Sequence, residues 1–562
     1  MADRASSSWA PRLGIVLALA TLVGWSVLQR WSVLDGSPFP IGVDGYFYPV
    51  QLRSLLETGE LQYPASPLAF YLLAPFAAAT DPITGAKLGA AFLGALIALP
   101  AYGVGVELTR RPTREDHGRG PGLIAAALAT TSAGSFYLSL EFVKNGIGLT
   151  VALTALWLVL RALATPTRRA AGLAIAGIAA ALLTHKMAAG LVLGIAIPAA
   201  LAEAHRHGKL RWRRVPPIAI GLGILVVIGL AMPQRFLSPK DLALIEALFT
   251  TDADWSLPVL ANKLTLGREP LICAALSLAA ATVLILERPT LKSRLLLISV
   301  VIQTVGELIG IGTMIVGDAW IITGGSVVLA LGGMLLGRRV QTWPGSSGGR
   351  SGAGREVVAW SVIALGVVIA LPWLDASNGQ GLAVRLRVIA FVPMTCCGAI
   401  IARAVLRRIP IGRAALGAEI ALVIVILRLH LGTPIEGRIL THPALIASAQ
   451  AVRIPDGGVA VVQERHIAFM LAWYTRATIS MRPEPIAPER RYRVMPLALI
   501  RIGSALDAAL LEIRDDPTLP RVIGVHPLHP NGMVVVPEVT WRAILERLDV
   551  ADRRRLEAWP TI

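Results

Sequence analysis

The sequence predicts a polytopic α-helical membrane protein of about thirteen transmembrane helices that ends in a C-terminal extracytoplasmic α/β domain. Three observations carry this prediction. Of 562 residues, 54% are hydrophobic and 16% charged, with a mean hydropathy of +0.63, which is too apolar for an ordinary soluble chain. Apolar runs of roughly 20 residues recur along the chain, and basic residues gather in every second connection, as the positive-inside rule requires. From His430 onward the long runs give way to short strand-like and amphipathic segments. The boundaries read from this are a transmembrane domain over 1–431, with a first outer loop over 30–83, and an extracytoplasmic domain over 432–562.

The net charge of +17 could suggest nucleic acid, but the basic residues lie in short connections between apolar runs. That is a membrane-topology pattern and not a nucleic-acid-binding face, so no nucleic-acid partner is expected. Cys273, Cys396 and Cys397 all fall in apolar segments without metal-ligand spacing, and imply neither a disulfide framework nor a zinc site.

Arg4 and Arg12 precede the first run, residues 13–28, which Gln29, Arg30 and Trp31 close without a small-residue cleavage site. This is the pattern of an uncleaved signal anchor with a cytoplasmic N-terminus. It puts residues 42–71, GVDGYFYPVQLRSLLETGELQYPASPLAFY, on the outer face. Asp44 is followed there by Tyr46, Phe47 and Tyr48, then by an amphipathic helix over 50–57 with a stop signal at Gly59, then by a proline-punctuated segment that starts at Tyr63. A carboxylate among interface-favouring aromatics suits a lipid-borne substrate; a solvated loop aspartate beside an aromatic belt gives the same pattern.

The span 84–108 returns to a basic loop holding Arg110, Arg111, Arg114 and Arg119. Runs over 123–140 and 146–160 enclose an outer turn, Glu141 to Asn145, that carries Glu141 and Lys144. A further pair turns outside at Thr184, His185 and Lys186. The span 216–232 leads to a longer outer loop, 234–269, in which 241–249 has the pattern of a helix lying on the membrane. Spans over 270–286, 295–316 and 320–336, a Gly/Ser-rich cytoplasmic linker over 338–355, and spans over 357–374, 388–405 and 414–429 complete the set. Arg385 and Arg387 fall in an outer turn. Beyond it, strands are predicted over 459–463, 477–481, 521–525 and 533–536, with helices over 467–474 and 497–513.

This order resembles the GT-C membrane glycosyltransferases, a group that includes protein O-mannosyltransferases, aminoarabinose transferases acting on lipid A, and oligosaccharyltransferases. The likeness rests on a first helix, an outer loop with the early acidic Asp44, the run Pro67, Leu68, Ala69, Phe70 and Tyr71, the span 87–108, and the distal stretch VAVVQERHIAFMLAWYT over 459–475. It implies a GT-C-like fold in the inner (plasma) membrane and transfer of a sugar from a polyprenyl-phosphate-linked donor to a lipid, glycan or protein acceptor outside. In that setting Asp44 would activate the acceptor as a general base. Glu141 would act beside it, binding the acceptor or a divalent metal ion, or would simply pair with Lys144. Lys144, Lys186, Arg385 and Arg387 are the cations available for the donor's phosphate, or are ordinary snorkelling residues. Tyr46, Tyr48 and Tyr63 would line the substrate loop. The chain departs from the aminoarabinose transferases in having Phe47 and Ser66 where those enzymes place basic residues.

His526 and His529 are more simply loop histidines than metal ligands, and Glu307, inside a span, and Asp318 are candidates for buried pairing or function. Two rival classes stay open from the sequence: a transporter or flippase, and a non-catalytic membrane scaffold with a binding domain.

Overall fold

The fold is that of a computed structural model, which describes residues 9–42, 44–110, 119–206, 269–287, 298, 353–369, 382–406, 443–462, 465–475, 478–480, 486–496, 533–550 and 553. The expectations over 216–232, 234–268, 295–316, 320–336, 414–429, 497–513 and 521–525 lie outside these residues, wholly or nearly so. So do Glu307, Asp318, His526, His529 and most of the 338–355 linker.

The described helices are α1 (Trp9–Leu34), α2 (Phe47–Thr58), α3 (Leu68–Ala79), α4 (Pro82–Ala95), α5 (Ala98–Thr109), α6 (Arg119–Thr131), α7 (Ala133–Glu141), α8 (Val143–Ala164), α9 (Arg168–Thr184) and α10 (Lys186–Arg206). They continue with α11 (Glu269–Leu286), α12 (Ala353–Ile369), α13 (Leu382–Val388), α14 (Phe391–Leu406), α15 (Pro443–Ala451), α16 (Arg465–Thr475) and α17 (Glu538–Arg547). Among the described residues, Leu13–Leu34, Pro82–Thr109, Val143–Ala164 and Arg385–Leu406 are long and apolar enough to cross a membrane.

The chain divides into two compact units. The first comprises Met1–Arg30, Ala91–Ser139 and Val143–Ile435. Part of its core is apolar packing of α11, α12 and α14 through Ala280, Ala359, Ile363, Cys397 and Ile400. One run departs from expectation. In place of a single span over 123–140, α6 and α7 meet at a 45° bend. The buried Glu269 carboxylate accepts hydrogen bonds there from Ser132 Oγ (2.8 Å) and from the amides of Ala133 (2.5 Å) and Gly134 (3.0 Å). A carboxylate on α11 thus satisfies the first amides of α7, which would be costly to leave bare in an apolar setting. The turn expected over 141–145 shrinks to Phe142 alone.

Arg30 is a second polar anchor in this unit. Wholly buried near the end of α1, it donates to Ser139 Oγ (3.0 Å), Ser135 Oγ (2.9 Å) and Ser26, and its guanidinium lies 5.4 Å from the Phe136 ring centre. The serines recur at a spacing of four on α7, so both point at one side chain of α1.

The second unit comprises Trp31–Ala90, Leu140–Phe142 and Glu436–Ile562. It holds a four-stranded sheet of order β2-β1-β3-β4, with β1 at Val459–Val461, β2 at Thr478–Ser480, β3 at Arg491–Pro496 and β4 at Met533–Pro537. β1 runs parallel to β2 and β3, with Val459 opposite both Thr478 and Arg491, whereas β4 is antiparallel to β3 with Val535 opposite Val494. Helix α16 is the crossover between β1 and β2. His466 to Ala472 are buried without a break, which suits a helix packed on several sides. In the same unit α2 ends where Gly59 adopts φ +78° and returns its amide to Leu55 O at 3.0 Å. The carboxylate of Asp81 caps α4 through the amides of Ile83 (2.8 Å) and Thr84 (3.1 Å).

Candidate functional site

The loop after α1 is folded tightly around Asp44. The buried Lys87 donates to the carbonyl of Ser37, the amide of Gly45 bonds Gly42 O at 3.0 Å, and the amide of Phe47 bonds Asp44 O at 3.0 Å to open α2. Gly42 is required twice over. Its φ of +94° is unfavourable for any side chain, and a β-carbon there would stand 2.5 Å from Leu140 O, 3.0 Å from Glu141 Cα and 3.2 Å from Glu141 Oε2. The backbone of the Asp44 turn therefore lies directly on the segment bearing Glu141, so two carboxylates nearly one hundred positions apart in sequence stand on touching stretches. Glu141 is buried, at 2% exposure.

Asp44 is 9% exposed, and its one ionic partner among the described residues is Arg465, the first residue of α16, with Nε 3.3 Å from Oδ1. That contact is an ion pair without an aligned hydrogen bond, since the buried Arg465 Nε makes none. A buried carboxylate normally accepts several hydrogen bonds. Asp44 accepts none from the described residues.

Aromatic side chains build the surroundings. Phe469, at the middle of α16, packs on Phe47 (4.8 Å between ring centres) and on Tyr63 (5.3 Å). The Arg465 guanidinium lies over Phe47 and Phe469 at 5.7 and 5.4 Å. Tyr46 shares a 3.0 Å hydrogen bond with Tyr474 at the far end of α16, and burial, reinforced by that bond, pushes its phenol above the usual range. Tyr48 packs edge-on to Phe47. Tyr63 is gripped by Gln51, whose side-chain amide accepts from its N–H (2.9 Å) and donates to its C=O (2.8 Å). Its hydroxyl has no hydrogen-bond partner among the described residues, and burial pushes it up to about 12, against the pull of the Arg53 charge, so it stays a donor at neutral pH. Arg53 bonds the carbonyls of Trp473 (2.8 Å) and Ala472 (2.9 Å) and lies 4.6 Å from the Trp473 ring centre. Helix α16 is thus fixed to the first loop at both ends.

No protein-family model matches the sequence, and no curated protein matches it. Solved structures are similar to it, among them two of one protein. One is the crystal structure of ArnT from Cupriavidus metallidurans bound to undecaprenyl phosphate, at a TM-score of 0.43 and 17% identity over 92% of this chain and 98% of that one. The other is the same protein in the apo state, at 0.37 and 16% over 96% and 99%.

Of the residues singled out from sequence, the second unit brings Asp44, Glu141, Tyr46, Tyr48 and Tyr63 onto its first loop and the short segment pressed against it. The four cations belong to the first unit. Lys144 is half-buried at the start of α8, Arg385 is half-buried and Arg387 buried on α13, and Lys186 opens α10, its side chain lying outside the described residues. Among the described residues no group of three or more His, Cys, Asp or Glu side chains could hold a metal ion. Sequence reasoning missed Arg465, which lies inside the family-like stretch 459–475 but carries no signal of its own there. It also missed Arg30 and Glu269, whose burial was the only clue.

Proposed function

We propose that this protein is a membrane glycosyltransferase of the GT-C type, moving a sugar from a polyprenyl-phosphate donor to an acceptor at the outer face. One observation carries the reading: Asp44 is a buried carboxylate with no hydrogen bond from the described residues, on a turn that lies against the Glu141 segment. A structural aspartate in such a place would have its oxygens satisfied. In the proposed reaction the acceptor hydroxyl attacks the sugar's anomeric carbon while Asp44 takes the hydroxyl proton. The bond from that carbon to the phosphate oxygen breaks, and the polyprenyl phosphate leaves with the bonding electrons. Glu141 orients the acceptor, Tyr46, Tyr48 and Tyr63 shape the substrate loop, and Lys144, Lys186, Arg385 and Arg387 are the candidate ligands for the donor's phosphate.

The test is sugar transfer by the purified protein with a panel of polyprenyl-phosphate sugars, comparing wild type with Asp44→Asn. The variant keeps the shape and removes the base, so the rate should fall about 10²- to 10⁴-fold with thermal stability little changed. Near-normal transfer by Asp44→Asn removes Asp44 from the mechanism and makes Glu141 the candidate base. A wild type that consumes no donor but moves the intact lipid between leaflets would point to a flippase.

A further inference from the structure

Arg465 has more capacity for anions than Asp44 uses. Its guanidinium lies over the aromatic surface that the packed Phe47 and Phe469 rings form together, 5.7 and 5.4 Å from ring centres that are themselves 4.8 Å apart. Its nearest approach to Asp44 is through Nε, at 3.3 Å and out of hydrogen-bond alignment. The two Nη groups make no hydrogen bond to the described residues, and the side chain is 33% exposed. A purely structural arginine facing a carboxylate would present its forked face and make two parallel bonds, as Arg493 does with Glu538 in this same unit: Nε to Oε2 at 2.8 Å and Nη2 to Oε1 at 3.2 Å. Arg465 instead keeps its fork open beside the carboxylate.

From this we propose that Arg465 is a ligand for the phosphate of the lipid-linked substrate, and that phosphate binding draws it from Asp44. Phosphate is the better partner for an open, planar fork, because it offers two oxygens at matching spacing and more charge than a carboxylate. The present contact with Asp44 is an ion pair at 3.3 Å with no hydrogen bond to be broken. Exchange would have two effects on one turn: the substrate's phosphate is anchored beside Asp44, and Asp44 is released from its ion-pair partner to face the acceptor. This inference rests on the function proposed above for its substrate. It adds to the four cations read from sequence one that lies in the same compact unit as Asp44.

Competition of this kind has a signature of opposite sign. Binding of a polyprenyl phosphate to the full-length protein in detergent should weaken by about 10- to 100-fold in Arg465→Gln, and less in Arg465→Lys, which keeps the charge and loses the fork. In Asp44→Asn it should tighten by up to roughly 5-fold, because the rival anion is gone. A merely structural pair would make both neutralising variants bind worse. The matching polyprenol, without phosphate, should bind with no dependence on residue 465. Inorganic phosphate that competes with the lipid in wild type but not in Arg465→Gln would show that the headgroup alone is recognised; if it does not compete although the lipid keeps the opposite-sign pattern, the site takes only lipid-linked phosphate. Either result supports the proposal. Unchanged affinity in Arg465→Gln, or weaker binding in Asp44→Asn, overturns it. Should Arg465→Gln fail to fold, Arg465→Lys and Asp44→Asn still give the sign. If no sugar is transferred by any form but the opposite-sign pattern persists, the phosphate site stands and the glycosyltransferase reading falls.

Discussion

Replacing Gly42 with alanine tests the closest contact in the candidate site. Two penalties apply. At φ +94° an alanine is forced into the left-handed region, at about 1–2 kcal/mol. The new β-carbon would also meet Leu140 O at 2.5 Å and Glu141 Cα at 3.0 Å. These are main-chain atoms and cannot swing aside as a flexible side chain would, so the overpacking adds about 1–3 kcal/mol. Gly59→Ala is the matched control. Gly59 has a similar φ of +78° but open space around the β-carbon position, so it carries the backbone penalty alone. Apparent thermal midpoints, measured in one detergent at one scan rate because such unfolding is commonly irreversible, should rank wild type above Gly59→Ala and Gly59→Ala clearly above Gly42→Ala. Transfer activity below the midpoint should fall for Gly42→Ala and stay near wild type for Gly59→Ala, since only the first displaces the Asp44 turn. If the two variants lose the same stability, the Asp44 turn does not rest on Leu140 and Glu141, and the argument joining the two carboxylates fails.

Changing Lys144, Lys186, Arg385 and Arg387 to Gln one at a time should reveal at least one large loss of donor affinity, measured by equilibrium binding; four unaffected variants would leave the phosphate to other cations. Asp81 supplies a pH-dependent test. Burial by itself pushes its carboxyl up, but the bonds from Thr84 and Ile83 outweigh that and leave it below the ordinary range. Its contribution is therefore present above the unfolded-state value and lost as the pH falls through the folded one. Asp81→Ala should lower stability by about 1 kcal/mol near neutral pH, and the gap from wild type should close below about pH 4. Cysteine labelling from the outer face should reach introduced sites after residue 432 and miss those in the 338–355 linker; labelling of the linker would invert the topology.

Several elements were legible because they depend on neighbours in sequence. The Gly59 stop, the span beginning near residue 84 and the 465–475 helix each follow from local periodicity and one punctuating residue. Strand β3 was not, because RYRVMP sets arginines where a buried strand would carry apolar residues; Arg493 is accommodated by Glu538 and the Trp541 ring, partners that only the fold brings near. The bend at Ser132 was hidden for a similar reason. The run over 123–140 is uniformly apolar or small, and what breaks it is a carboxylate 137 residues further on. In the site, the aromatic context marked Asp44, whereas the open fork of Arg465 became visible only with its two aromatic neighbours in place.

The two attachments of α16 to the first loop also order events in time. Arg53 and the carbonyl it holds on Trp473 are 420 residues apart in the chain. At common synthesis speeds of about 5–20 residues per second, roughly 20 to 80 s pass between the appearance of one and of the other. Throughout that interval the Asp44 turn and α2 exist without the helix that covers Phe47 and faces the aspartate. The site is thus among the last parts of the molecule to be assembled, and a chain halted before residue 465 has the carboxylate but neither its cation nor the aromatic wall beside it.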